Sequence, residues 1–174
     1  MAGSIINNIR LLVMDVDGVM TDGRVTYTSA DEEIKAFDIK DGLGIKLLQK
    51  GGLKTAIITG RNSKMVERRM GELGIDWLIQ GREDKLEALR ELATEQNFEL
   101  EEIAYIGDDL PDLAAIQSAG VGMAVADASE HVRQAAQFIT KNPGGHGALR
   151  EACEWLLDQQ GKLNLILSAF GVSE

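Results

Sequence analysis

With 174 residues, 44% hydrophobic and 26% charged, the chain has ordinary globular proportions, which exclude a disordered or low-complexity protein and suit a single domain spanning residues 1–174. Lysine and arginine number 18 against 28 aspartates and glutamates, and the net charge of −10 has the wrong sign for nucleic acid or an anionic membrane, so the expected partner is a small molecule. The one cysteine, Cys153, excludes an internal disulfide and a multi-cysteine zinc site and suits a reducing cytoplasm, and no apolar run approaches the ~18 residues that span a bilayer.

The start, Met1 to Asn7, lacks the basic and long apolar regions of a leader, and the chain reads as soluble and unprocessed. Residues 10–15 (RLLVMD) have the length and composition of a buried strand. Residues 18–37 read as a β-hairpin around the polar turn Ser29 to Glu33, too short to be a cap domain. Asp41 is placed to cap a helix over 42–50 that stops at Gly51-Gly52, and a strand follows at 54–59. Asn62 or Ser63 opens a helix to Leu73, with Gly74 just beyond its end. A weaker strand at 77–80 precedes a helix over 83–96 whose Leu86, Leu89, Leu92 and Ala93 share one face. Strands at 103–107, 121–125 and, more weakly, 138–140 alternate with helices over 112–118 and 129–137. A glycine-rich stretch, 143–147, reads as a mobile element at the site entrance or as a plain helix-start loop before a helix over 148–160. The apolar tail within 161–174 calls for packing on its own subunit or on a neighbour. Continuous apolar strands alternating with one-face helices predict an α/β doubly wound parallel sheet, with its ligand at the carboxyl ends of the strands.

Acids collect at those ends. The first strand runs out in Asp15-Val16-Asp17, two carboxylates that share a side while the chain stays extended and so repel unless a cation lies between them. The strand at 103–107 delivers Asp108, Asp109 and Asp112 to the same edge. Oxygen ligands without thiolate or imidazole favour a hard cation, and a site that also takes a phosphate favours Mg2+. The strand at 54–59 ends in Thr59-Gly60-Arg61, where a hydroxyl and an exposed amide at a helix start form an anion cradle. Lys85 opens the next helical segment, where its charge would offset the clustered acids.

This ordered set resembles the haloacid dehalogenase superfamily, with Asp15-Val16-Asp17-Gly18-Val19, Thr59, Lys85 and Gly107-Asp108-Asp109 with Asp112 matching its four motifs in turn. The resemblance implies that Asp15 is a nucleophile forming an aspartyl-phosphate, and that Asp17 is the acid and then the base. It implies that Thr59 and Lys85 hold phosphoryl oxygens. It also implies that Asp15, the Asp17 main-chain carbonyl and Asp108 bind Mg2+, with Asp109 or Asp112 close by. The missing cap, and segments 38–45, 58–61 and 144–151, resemble the superfamily's capless sugar-acid phosphatases. Those are cytoplasmic homotetramers whose subunits cover one another's active sites. In relatives acting on nine-carbon acids the position after Thr-Gly is typically glutamate, so Arg61 is expected to help select a sugar acid phosphate, the alternative being an ion pair with a helix-start acid. Arg69 is a second candidate contact, from this subunit or its neighbour, or else a solvated charge. His131, His146, Met14 and Met20 stay outside the catalytic set. Competing readings are a phospho-receiver domain, which lacks an Asp-x-Asp loop, the phosphatase-like module of sugar-acid cytidylyltransferases, and a phosphatase for a nine-carbon sugar acid.

Overall fold

The computed structural model describes residues 5–30 and 32–172; Asp31 of the hairpin turn, Met1 to Ser4 of the chain start and the last two residues of the tail lie outside the described residues. The chain runs β1 (Leu11–Met14), the hairpin β2 (Thr26–Tyr27) and β3 (Glu33–Ile34), α1 (Ile39–Lys50), β4 (Lys54–Ile58), α2 (Lys64–Leu73), β5 (Trp77–Ile79) and α3 (Lys85–Gln96). It continues through β6 (Ile103–Gly107), α4 (Leu110–Ser118), β7 (Val121–Ala124), α5 (Glu130–Ala135), β8 (Phe138–Ile139), α6 (Ala148–Gln159) and α7 (Leu163–Ser168).

All residues of β1, β6 and β7 are buried, as is β4 beyond Lys54, so side chains on both faces of the sheet need cover. Helices supply it: α1 lies along α6, while α4 packs between α3 and α5. The six strands are parallel in the order β5-β4-β1-β6-β7-β8. β1 is central, with Met14 level with Ile57 on one side and Ile106 on the other. The chain leaves β1 toward β4 and β5 and then crosses back to β6, which makes β1 the point where the winding reverses. In-register parallel pairing therefore brings the residues just after β1, β4 and β6 to one edge.

One local expectation is corrected and two are narrowed. Asp38, not Asp41, caps α1, its side chain accepting from the Lys40 amide at 2.7 Å. Asp41 is buried one turn further on and accepts from the Arg150 amide at 2.8 Å and the Gly147 amide at 3.4 Å, so it caps the start of α6 from a neighbouring helix. The stretch 143–147 is docked rather than open. The Gly145 amide bonds to the Val19 carbonyl at 3.0 Å, and a Cβ on Gly144 would collide with the Gly18 carbonyl. Its glycines allow two backbones to touch. The tail divides: Leu163 and Ile166 pack against the core, while Leu165 is 79% exposed.

Asp41→Ala leaves the first amides of α6 without a partner and should cost about 2 kcal/mol, lowering the thermal midpoint by roughly 4–8 °C. Calorimetry checks this, and an unchanged midpoint would refute the cross-helix cap.

Candidate active site

Asp15 follows β1 directly, and its carboxylate is buried at the sheet edge. The chain does not stay extended as far as Asp17. After Asp15 it turns, and the Val16 carbonyl accepts from the amides of Val19, Met20 and Thr21 at 2.9–3.2 Å. The two acids therefore face one cleft through a turn rather than along a strand, and each finds a different lysine.

Lys85, at the start of α3, donates to Asp15 Oδ1 at 2.6 Å and to Asp112 Oδ1 at 2.7 Å, with only 6% of its side chain exposed. The Tyr105 hydroxyl, rising from the middle of β6, also donates to Asp112 Oδ1, at 2.8 Å. Asp112 Oδ2 takes the Asp108 and Asp109 amides at 3.2 and 3.4 Å, in a capping box with Asp109 at the start of α4. Asp112 thus has both oxygens engaged and serves to place Lys85 and the turn after β6. The Asp108 carboxylate, by contrast, accepts no hydrogen bond among the described residues. A Cβ on Gly18 would run into it, so glycine at that point of the turn lets the carboxylate approach the nucleophile loop.

Oxygens of Asp15, Asp108 and Asp112 lie within 4.8 Å of one another. Burial, then repulsion from Asp112, raises the Asp15 carboxyl to about 7 against the pull of Lys85. Burial and the charges of Asp15 and Asp112 raise Asp108 to about 8. Burial also opposes the charge on Lys85, but Asp15 and Asp112 outweigh it and hold its pKa above the ordinary lysine value. Burial and the Asp112 charge push the Tyr105 hydroxyl well up, which keeps it a donor. A cluster of acids with too little positive charge fits a hard divalent cation, with Asp15 and Asp108 offering the unengaged oxygens.

Thr59 and Gly60 follow β4 and line the same cleft of about 450 Å³, together with Asp15, Asp17, Arg61, Lys85 and Asp108. Of the residues singled out from the sequence, only Arg69 lies elsewhere. It sits on α2, bonded to Glu72 at 3.3 Å and packed against Gly42, and lines an adjoining hollow of about 330 Å³. Arg61 pairs with Glu33 of the hairpin at 3.1 Å, not with a helix-start acid. His146 turns back on its own loop, its Nδ1 2.9 Å from the Gly144 carbonyl oxygen.

Three residues were missed. Lys35 bonds to Asp17 and lies 3.1 Å from Glu33, and it reaches the site only because the hairpin folds over the cleft. Glu33 joins the site through Lys35 and Arg61, which outweigh the effect of burial and hold its carboxyl below the usual range. Neither residue carries a local signal in the sequence. Tyr105 carried one: a hydroxyl in an otherwise apolar, buried strand must find a partner.

The haloacid dehalogenase-like hydrolase family matches residues 79–151. The 3-deoxy-D-manno-octulosonate 8-phosphate phosphatase of Yersinia pestis is 46% identical over 156 residues, 90% of this chain and 83% of that protein. The phosphatase of the same name from Escherichia coli K12 is 45% identical over 157 residues, 90% of this chain and 84% of that one. Among solved structures, that phosphatase from Moraxella catarrhalis, in complex with magnesium ion, phosphate ion and a KDO molecule, matches with a TM-score of 0.94 at 46% identity, covering 97% of each chain.

Asp15 and Asp108 hold their protons to higher pH in the folded chain than in the unfolded one, where such groups titrate near ~4. Their contribution to stability is therefore full below about pH 4 and is lost as pH rises through about 7 and about 8. A bound cation takes the place of those protons, so magnesium should raise the thermal midpoint more at pH 8 than at pH 6. An equal gain at both, measured by scanning calorimetry, would refute the assignment of these acids to the cation.

Proposed function

The chain belongs to the haloacid dehalogenase-like hydrolases, among the 3-deoxy-D-manno-octulosonate 8-phosphate phosphatases, and we propose that it removes the phosphate from that eight-carbon sugar acid ester through an aspartyl-phosphate intermediate. The observation that carries this reading is the buried Lys85 bonded to both Asp15 and Asp112, beside Asp108 and below Thr59 and Gly60. A phosphate dianion and a carboxylate nucleophile repel each other, and Lys85 places one positive charge where they must meet, beside acids that fit a divalent cation.

Asp15 attacks phosphorus, forming a new P–O bond as the bond to the sugar oxygen breaks, and Asp17 gives the leaving oxygen its proton. Asp17 then takes a proton from water, whose oxygen attacks the phosphorus of the aspartyl-phosphate, freeing phosphate and regenerating Asp15. The Thr59 hydroxyl and the Gly60 amide hold phosphoryl oxygens in place, and Lys85 favours the ionised form of Asp15 against burial and neutralises part of the phosphate charge. Asp15, Asp108 and the Asp17 carbonyl would hold magnesium, which would supply the further positive charge that offsets the repulsion. Asp112 and Tyr105 position Lys85 and do not touch substrate.

Arg61 stands at the mouth of the cleft, 44% exposed, and selects the sugar acid. The working form is a homotetramer with intersubunit active sites. Supporting this, Tyr27 and Ile34 of the hairpin and Ile39 at the start of α1 expose apolar side chains, and Arg69 lies outside the cleft of its own chain. The product serves lipopolysaccharide inner-core synthesis in the cytoplasm. No helix among the described residues is long and apolar enough to cross a membrane.

Phosphate release from 3-deoxy-D-manno-octulosonate 8-phosphate, a nine-carbon sugar acid phosphate, a hexose phosphate and an aryl phosphate, each with magnesium, tests the substrate. Strong preference for the first is expected, and activity on the aryl ester alone would discard the sugar acid. Asp15→Asn should lower turnover by roughly a thousandfold or more while the circular dichroism spectrum is kept; full phosphate release would sink the nucleophile. Arg61→Glu should shift the ratio of kcat/KM for the eight- over the nine-carbon ester by about tenfold toward the latter, and an unmoved ratio would remove Arg61 from substrate choice.

A further inference from the structure

Glu33, on β3, presents its two carboxylate oxygens to two different cations. Lys35 Nζ lies 3.1 Å from Oε1, and Arg61 Nη2 lies 3.1 Å from Oε2. Arg61 lines the cleft wall, while Lys35 bonds to the cleft residue Asp17 and lines the adjoining hollow that also holds Arg69. The Lys35 side chain is only 2% exposed, and a buried ammonium needs carboxylates around it. Two cations, Lys35 and Arg61, balance two anions, Asp17 and Glu33. Glu33 occupies the space between Lys35 and Arg61, so another carboxylate reaches both cations only if Glu33 gives way.

Asp17 cannot be the one to leave, because it belongs to the turn that closes on the Val16 carbonyl. Glu33 can, because β2 and β3 pair over only two residues each. We propose that Glu33 is an internal stand-in for the carboxylate of the sugar acid, and that Lys35 and Arg61 form a two-cation subsite which the substrate's carboxylate takes over as Glu33 swings out. This rests on the reading of the substrate as a sugar acid phosphate. The exchange leaves the charge of the cluster unchanged, one carboxylate replacing another, and an ester that carries no carboxylate has nothing with which to displace Glu33. Such an ester binds with Glu33 left in place, so the competition is felt by the sugar acid alone.

The test compares wild type with Glu33→Gln on 3-deoxy-D-manno-octulosonate 8-phosphate and on 4-nitrophenyl phosphate, and measures inhibition of aryl ester hydrolysis by the free sugar acid. Weakening the internal competitor should raise the ratio of the aryl KM to the sugar acid KM by about three- to tenfold, with the inhibition constant of the free acid falling by a similar factor. Lys35→Met should move the same ratio in the opposite direction by about tenfold, with partial recovery in Lys35→Arg, a pair of opposed shifts that simple structural damage does not produce. A ratio that stays put in Glu33→Gln, or that moves the same way in both variants, overturns the proposal. A wild-type enzyme that hydrolyses the aryl ester and not the sugar acid ester would instead overturn the substrate reading, and the carboxylate subsite with it.

Discussion

Three carboxylates lie within 4.8 Å of one another at the carboxyl edge of the sheet, and Lys85 is the cation bonded among them. Like charges at that distance in a buried site cannot all be ionised without compensation, so the arrangement of everything nearby is constrained by where positive charge can come from. Lys85 supplies one unit, and its ammonium must sit between Asp15 and Asp112, which fixes the start of α3 against the ends of β1 and β6. Asp112 in turn is held by Tyr105 and by two backbone amides, so its charge is spent on holding structure rather than on a ligand. What remains uncompensated is Asp108 with the open side of Asp15, a set of oxygens that could hold a divalent cation.

The nucleophile loop is held from behind as firmly as from the front. The Val16 carbonyl gathers three amides, the Thr21 hydroxyl accepts from the Gly18 and Gly23 amides at 3.3 and 3.2 Å, and the 143–147 stretch lies against the loop with backbone touching backbone. A carboxylate that must meet a phosphorus atom in line works best when its own backbone cannot drift, because small misplacements cost heavily in rate. The burial of Asp41 under α6 belongs to the same design: it ties α1 to the helix that follows the glycine-rich stretch, and so ties that stretch to the core.

The hairpin adds a second electrostatic layer over the first. Where the inner cluster has an excess of acid and takes a metal and a phosphate, the outer one, Asp17, Lys35, Glu33 and Arg61, is balanced and partly open to solvent. The two layers meet at Asp17, which belongs to the chemistry on one side and to the hairpin on the other.

The sequence by itself determined the alternation of strand and helix, the parallel sheet, and the convergence of Asp15, Asp17, Thr59, Lys85 and Asp108 on one edge. It could do so because these follow from local properties: continuous apolar runs, one-face helices, and residues placed immediately after strands. It also suggested the cation, since an all-oxygen set names its own metal class. Tertiary structure alone decided the rest. Whether Asp41 caps its own helix or another and whether 143–147 packs on the loop after β1 are questions about partners a hundred or so residues away. Lys35 and Glu33 look like any solvated pair on a polar hairpin until that hairpin folds over the cleft, because a charge acquires its role from the charges it is buried beside, and sequence spacing does not encode that distance.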